Sequence, residues 1–127
     1  MVREDGNVIR QQERLFQQYD YESKRISEQI HVQKQKMIKF DLFERQVDDL
    51  QIRTEIRLDH LSQTWKGRQA ENYLSESLAM HIKYRQDNLQ RIRGEKQELQ
   101  IEMRQLQHRQ EELLRLKRQV INQDRRG

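Results

Sequence analysis

Apolar residues recur along the chain at alternating spacings of three and four. In the first half the spaced positions are Ile9, Gln12, Phe16, Tyr19, Ser23, Ile26, Ile30, Gln33, Met37, Phe40, Glu44, Val47, Gln51, Thr54, Leu58, Leu61 and Trp65. In the second half they are Leu74, Leu78, Ile82, Arg85, Leu89, Ile92, Lys96, Leu99, Met103, Leu106, Gln110, Leu113, Lys117 and Val120. An average repeat of about 3.5 residues keeps one face of a helix against a partner helix along its length. We call these positions the seam, and they predict two long helices.

The two runs meet near the midpoint of the chain, at Trp65 and Gly67. Proline is absent from the sequence, and Gly67 can take the left-handed backbone conformation that ends a helix. The Trp65 ring is expected to lie over Ala70, Tyr73 and Leu74 at the start of the second helix. The predicted fold is therefore all-α, a single antiparallel two-helix hairpin over residues 1–127. Helix 1 covers about 8–64, the turn about 65–68 and helix 2 about 69–123.

Polar residues interrupt the seam at intervals. A polar seam residue lowers stability but selects one register of the two helices. If the turn is the midpoint, facing residues have numbers that add to about 134, which places Ile30 near Met103 and Tyr19 near Leu113 or Arg115. The main interruptions are Gln33, Glu44, Gln51, Arg85 and Lys96. Gly94 lies in mid-helix, where it marks either a close approach or a tolerated surface position.

A second apolar line follows helix 1, one step round from the seam. Aligned apolar residues at helical spacing on an exposed face are typical of a docking surface for another protein. The predicted partner-binding face consists of Ile38, Leu42, Ile52 and Ile56, widened by Phe43 and Leu50. A smaller extra group near the termini contains Leu15, Leu114, Leu116 and Ile121.

Composition agrees with thin helices rather than a thick core. Only 33% of the chain is hydrophobic and 36% is charged, and the mean hydropathy is −1.23. The net charge of +4 comes from interleaved signs, which favours solvated helix faces over a nucleic-acid-binding stripe. An arginine-rich second helix that binds nucleic acid is the weaker alternative.

No segment has the length and apolarity of a membrane span, so no direct membrane insertion is expected. Residues 1–10 lack the hydrophobic region of a signal peptide, which predicts cytoplasmic synthesis without one.

Residues for catalysis or metal binding are not arranged in any familiar motif. The histidines, His31, His60, His81 and His108, are far apart in sequence and are interpreted as solvated. There is no cysteine, no glycine-rich phosphate loop and no nucleophile elbow. We expect no catalytic residues, no cofactor and no metal site, and therefore not an enzyme.

The turn sequence Leu61-x-x-x-Trp65-x-Gly67-x-x-Ala70-x-x-Tyr73 resembles that of the Trp-x-Gly (WXG) small helical hairpins of bacterial type VII secretion. The chain is longer and more charged than typical members. It lacks their Tyr-x-x-x-Asp/Glu export signal after helix 2, and the Phe16–Asp20 pair in helix 1 has a similar spacing. These departures make it similar to the LXG-associated α-helical (Lap) accessory proteins of Gram-positive bacteria, of the kind without the export motif.

This resemblance implies a targeting factor or chaperone. Its partners would be the helical N-terminal domain of a cognate LXG toxin and a second small WXG-like or Lap protein. The complex would be exported by type VII secretion, with this chain co-secreted. A homodimer is a further expected assembly, and a structural homo-oligomeric coiled coil or scaffold is the alternative function.

Overall fold

Two long helices account for almost all of the protein in the computed structural model. The structure describes the backbone of residues 2–126 and the side chains of residues 8–123. Helix α1 is Val2–Thr64 and helix α2 is Arg68–Arg126. They pack against each other as a helical hairpin, which confirms the predicted all-α fold. Helix α1 starts before the predicted residue 8, and helix α2 continues past the predicted residue 123. The prediction stopped short because the polar ends of the chain have no apolar repeat.

The chain divides into two compact units, which are described separately. The terminal unit is Met1–Gln35 with Leu99–Gly127, and the turn unit is Lys36–Glu98. Each unit contains a segment of both helices.

The terminal unit holds the better-packed apolar cluster. Its centre is Ile26, Ile30 and Leu113, with Tyr19 and Leu106 packed against it. Tyr19 and Leu113, one of the two residues predicted near it, are thus part of the same cluster. Leu113 has no exposed surface at all.

Leu116 belongs to the same cluster and is partly buried. The prediction that it lies outside the seam was wrong. It follows Leu113 by three residues, so both side chains lie on the same side of helix α2.

Hydrogen bonds between the helices fix the register of the terminal unit. Arg109 donates from Nε and Nη2 to the two carboxylate oxygens of Glu22, at 2.8 and 3.0 Å. Gln33 Nε2 donates to Glu102 at 2.8 Å, and these two residues lie within one position of the predicted pairing. The Arg109 hydrogen bond lowers the pKa of Glu22, and Glu22 in turn raises the pKa of Arg109.

The turn unit uses ion pairs in the same way, around a smaller apolar core. Lys96 contacts Asp41 at 2.5 Å and Glu44 at 3.2 Å. The hydrogen bond to Asp41, followed by that to Glu44, raises the pKa of Lys96. Arg85 donates to Asp48 at 2.8 Å, again within one position of the predicted pairing.

The seam shifts by one position in α2 near the turn. Ser77 and His81 are half-buried there, whereas Leu78 and Ile82, which the spacing placed in the seam, are each more than a third exposed. The reason is Ala70, which is 1% exposed beside the turn. Spacings of four, three and four from that buried alanine lead through Leu74 to Ser77 and His81, and join the predicted seam at Arg85.

The ends of the α1 seam are more open than predicted. Ile9, Leu61 and Trp65 have the seam spacing but are exposed. From Gln12 to Leu58, every predicted seam position of α1 is buried or half-buried.

Two adjacent leucines test the packing of the terminal unit. Leu113→Ala should lower the free energy of unfolding by about 2–4 kcal/mol, because it leaves a cavity beside the buried Ile26 and Ile30. Leu114→Ala is the matched control: Leu114 is 50% exposed and its loss should cost less than about 1 kcal/mol. Urea denaturation followed by circular dichroism measures both. Equal effects of the two substitutions would contradict the seam assignment.

Candidate partner-binding site

An exposed stripe runs along helix α1 within the turn unit. We call it the outer stripe, and its six positions have spacings of four, three, four, three and four: Ile38, Leu42, Arg45, Asp49, Ile52 and Ile56. All six are exposed, Ile38 by 68%. Ile38 follows the seam residue Met37 directly, and Ile52 follows Gln51. The outer stripe therefore repeats the seam's own heptad spacing, but at about 100° per residue it lies about 150° round from the seam, on the side of α1 that faces away from α2. Its four apolar members are exposed, as predicted.

Phe43 and Leu50 add apolar surface on the other flank of helix α1. Both are exposed. The Phe43 ring lies 6.4 Å from the ring of Phe40, a half-buried seam residue, in an edge-to-face arrangement. The exposed Phe43 thus packs against a residue of the seam.

Helix α2 contributes two residues to the exposed apolar surface that sequence reasoning missed. These are Leu78 and Ile82, which the seam shift turns outward. By the predicted pairing they lie at the same level along the hairpin as Ile56 and Ile52. The small residue Ala70 could have revealed them, because its burial at the turn determines which side of α2 faces α1.

The seam of the turn unit contains polar residues beside its apolar ones. Gln51 Oε1, His81 Nε2 and Arg85 Nε are buried and have no hydrogen-bond partner among the described residues. An unsatisfied buried polar atom costs about 1–3 kcal/mol. The turn unit therefore has unsatisfied polar atoms in its seam and exposed apolar side chains on its outside. A partner that covers the outer stripe would supply burial that the hairpin lacks here.

The turn places Trp65 and Tyr73 together on the surface. Their ring centroids are 5.4 Å apart with the planes tilted by 53°. The backbone N–H of Trp65 donates a hydrogen bond to the Leu61 carbonyl at 2.8 Å. The contact between Trp65 and the start of helix α2 is thus as predicted for Tyr73, with Ala70 buried nearby.

Gly67 has the predicted positive φ, of 122°, but at a different place in the turn. Helix α1 already ends at Thr64. The carbonyl of Gly67 accepts a hydrogen bond from the N–H of Glu71 at 3.0 Å. Gly67 is therefore the residue that opens helix α2, and it does not terminate helix α1.

Phe16 and Asp20, the pair with export-signal spacing, both contact Lys117. Its Nζ lies 2.9 Å from Asp20 Oδ1 and 5.8 Å from the centroid of the Phe16 ring. Lys24 makes a second ion pair with Asp20 at 3.1 Å. These hydrogen bonds, from Lys117 first and Lys24 second, lower the pKa of Asp20. The structure gives the pair a role in holding the helices together, and its use as an export signal stays a prediction.

The histidines are not gathered into a site. His31, His60 and His108 are exposed, but His81 is half-buried, so the prediction of a solvated side chain was wrong there. It lies in the seam because of the shift at Ala70. Within the described residues, no three histidine, cysteine or acidic side chains lie close enough to hold a metal ion. In the same part of the chain, neither helix has an apolar stretch long enough to cross a membrane.

Comparison with known proteins gives no relative. The chain matches no protein-family model, no curated protein and no solved structure.

Two glycines provide a test of the turn. Gly67→Ala should destabilise the hairpin by about 1–3 kcal/mol, because an L side chain is strained at this φ. Gly94→Ala is the matched control, since a Cβ there would have nothing within 4 Å. It should stabilise the protein by about 0.5–1 kcal/mol through higher helix propensity. Thermal denaturation distinguishes the two, and stabilisation by both would contradict the turn geometry.

The Asp20 ion pairs predict a pH effect. A carboxyl with a lowered folded pKa stabilises the fold above its ordinary value, 3.8 here. That contribution disappears as the pH falls through the folded pKa. Asp20→Asn should therefore lower the urea midpoint at pH 7, and the difference from wild type should shrink as the pH falls through the folded pKa of Asp20. Glu28→Gln, at an exposed position in the same unit, is the control. A difference that persists unchanged at low pH would show that these ion pairs are not its source.

Proposed function

We propose that this protein is a non-enzymatic targeting adaptor of a bacterial type VII secretion system. It binds the helical N-terminal LXG domain of a cognate toxin, together with a second small helical protein, and so promotes export of the toxin. The observation that carries the proposal is the outer stripe, an exposed apolar face with heptad spacing on a hairpin whose seam is already closed.

Heptad spacing indicates what kind of partner fits the outer stripe. Side chains that recur every three and four residues accept the side chains of another helix between them. Ile52 and Ile56, at the turn-proximal end of the stripe, are each more than half exposed. A helix lying along this surface would bury apolar groups that the hairpin alone leaves in water.

The turn supports the connection to type VII secretion. The Trp-x-Gly resemblance depends on Trp65 and Gly67. Gly67 has a backbone conformation that other residues rarely adopt, and Trp65 forms an aromatic pair with Tyr73. Both motif residues thus have a definite structural role in the hairpin turn. The resemblance is therefore to the fold-determining part of the family's turn.

The charged residues support a binding role rather than catalysis. Asp20, Glu22 and Glu44 are engaged with lysine or arginine from the opposite helix. These contacts lower the pKa of Asp20 and Glu22. General acid–base catalysis at neutral pH would call for a carboxyl pKa shifted the other way. The carboxylates serve the hairpin's register.

Co-purification tests the proposal. The protein is co-expressed with the helical N-terminal domain of an LXG toxin encoded beside it and with a second small helical protein encoded at the same place. The variant Ile52→Glu/Ile56→Glu should weaken the complex by about a hundredfold, because it buries two charges in an apolar contact. The matched control is Ile101→Glu/Leu114→Glu, at exposed apolar positions outside the outer stripe.

Each result of this experiment decides one part of the proposal. Co-elution of the wild type and the control, with loss for the stripe variant, supports it. A wild-type protein that never co-elutes with the toxin domain would contradict the adaptor function. A stripe variant that co-elutes as well as the wild type would show that binding uses another surface.

A further inference from the structure

The outer stripe has the same chemical pattern in both directions from its centre. Ile38 and Ile56 are equally far from residue 47, and so are Leu42 and Ile52. The two charged positions, Arg45 and Asp49, are equally far from it too, with opposite signs. Each member thus has a counterpart that would attract it: apolar for apolar, acid for base.

Such a pattern fits a second copy of the same helix in antiparallel orientation. A two-fold axis at the level of residue 47 places each residue opposite its counterpart on the other copy, as an isologous interface requires. Arg45 of each copy then faces Asp49 of the other, so the contact contains two ion pairs.

The charges at the centre are free to make these contacts. Asp41, Glu44 and Asp48 are used inside the hairpin, by Lys96 and Arg85. Arg45 and Asp49 are exposed and form no ion pair within the described residues. They follow each other at i and i+4 in the order base then acid, which is the less favourable order for a pair within one helix.

We propose that the free protein is an antiparallel homodimer joined through the outer stripes of two copies. Four apolar residues from each chain form the contact, and the two Arg45–Asp49 pairs select the antiparallel register. The homodimer goes beyond the proposed function and does not depend on it. Where both hold, the two assemblies exclude each other, because the homodimer covers the surface that binds the toxin helices. A partner must then displace the second copy before it can dock.

Charge reversal and mixing test the homodimer and its register together. Arg45→Asp and Asp49→Arg each replace two attractive contacts with two repulsive ones, and each should raise the dimer dissociation constant by about tenfold or more. An equimolar mixture of the two variants restores both ion pairs in the mixed dimer, so association should return. The double variant Arg45→Asp/Asp49→Arg should dimerise as the wild type does. Sedimentation equilibrium at low salt measures all of these.

Two measurements keep the result interpretable. Circular dichroism verifies that each variant keeps its helices, as expected because neither residue takes part in the seam. Arg91→Asp reverses an exposed charge on α2 of the same unit and should leave the dissociation constant unchanged.

The outcomes separate this proposal from the adaptor function. Weak association of each single variant, with recovery on mixing, supports the homodimer. A wild-type monomer at about 100 μM, far above the dissociation constants of stable dimers, overturns it, even if that monomer binds an LXG domain. Single variants that dimerise as tightly as the wild type also overturn the proposed interface. A homodimer that binds no toxin helix leaves this proposal standing and contradicts the adaptor function.

Discussion

The narrowness of the apolar seam is the constraint on which this structure depends. Two helices in contact bury one stripe each, and few residues on that stripe are fully buried: Leu113 is the only large side chain without exposed surface among those described. Apolar burial of this extent favours contact between the helices but does not distinguish one register from another. The distinction comes from hydrogen-bonded ion pairs, such as Glu22 with Arg109 and Asp48 with Arg85. A shift of one heptad would break each of these pairs while leaving apolar residues opposite one another.

The two units differ in how much apolar surface their seams bury. The candidate site lies in the unit that buries less. In the terminal unit, Ile26, Ile30 and Leu113 form a continuous cluster inside the seam. In the turn unit, Ala70 and Leu89 are the buried apolar residues, and several half-buried seam positions are polar. Binding of a partner to the exposed apolar residues of the turn unit would therefore add apolar burial where the seam supplies little. A docking surface in the turn unit would stabilise the part of the hairpin with the weakest apolar core.

Much of this could be predicted from the sequence, because a long repeat averages over local exceptions. The spacing from Gln12 to Leu58 identified the inward face of helix α1, and Gly67 identified the turn. Leu78 and Ile82 were misplaced because the repeat was continued to the turn without regard to Ala70, whose small side chain allows close contact and rotates the start of α2. His81 was misassigned for the same reason. The apolar members of the outer stripe were visible as a pattern. The pattern could not show which charges the hairpin already uses. Asp48 and Asp49 are neighbours in sequence, yet among the described residues Asp48 has an ion-pair partner and Asp49 has none.

The hairpin fold requires that the two helices pair in antiparallel orientation in solution. Because the chain has no cysteine, cysteines introduced at Glu28 and Gln105 can carry spin labels without further changes. Both positions are exposed and belong to the terminal unit. Double electron–electron resonance on labelled chains diluted with unlabelled protein reports the distance within one chain. Helix axes about 10 Å apart predict a label separation below about 30 Å. A continuous helix would separate the same positions by about 115 Å, and a distance beyond the range of the method would contradict the hairpin.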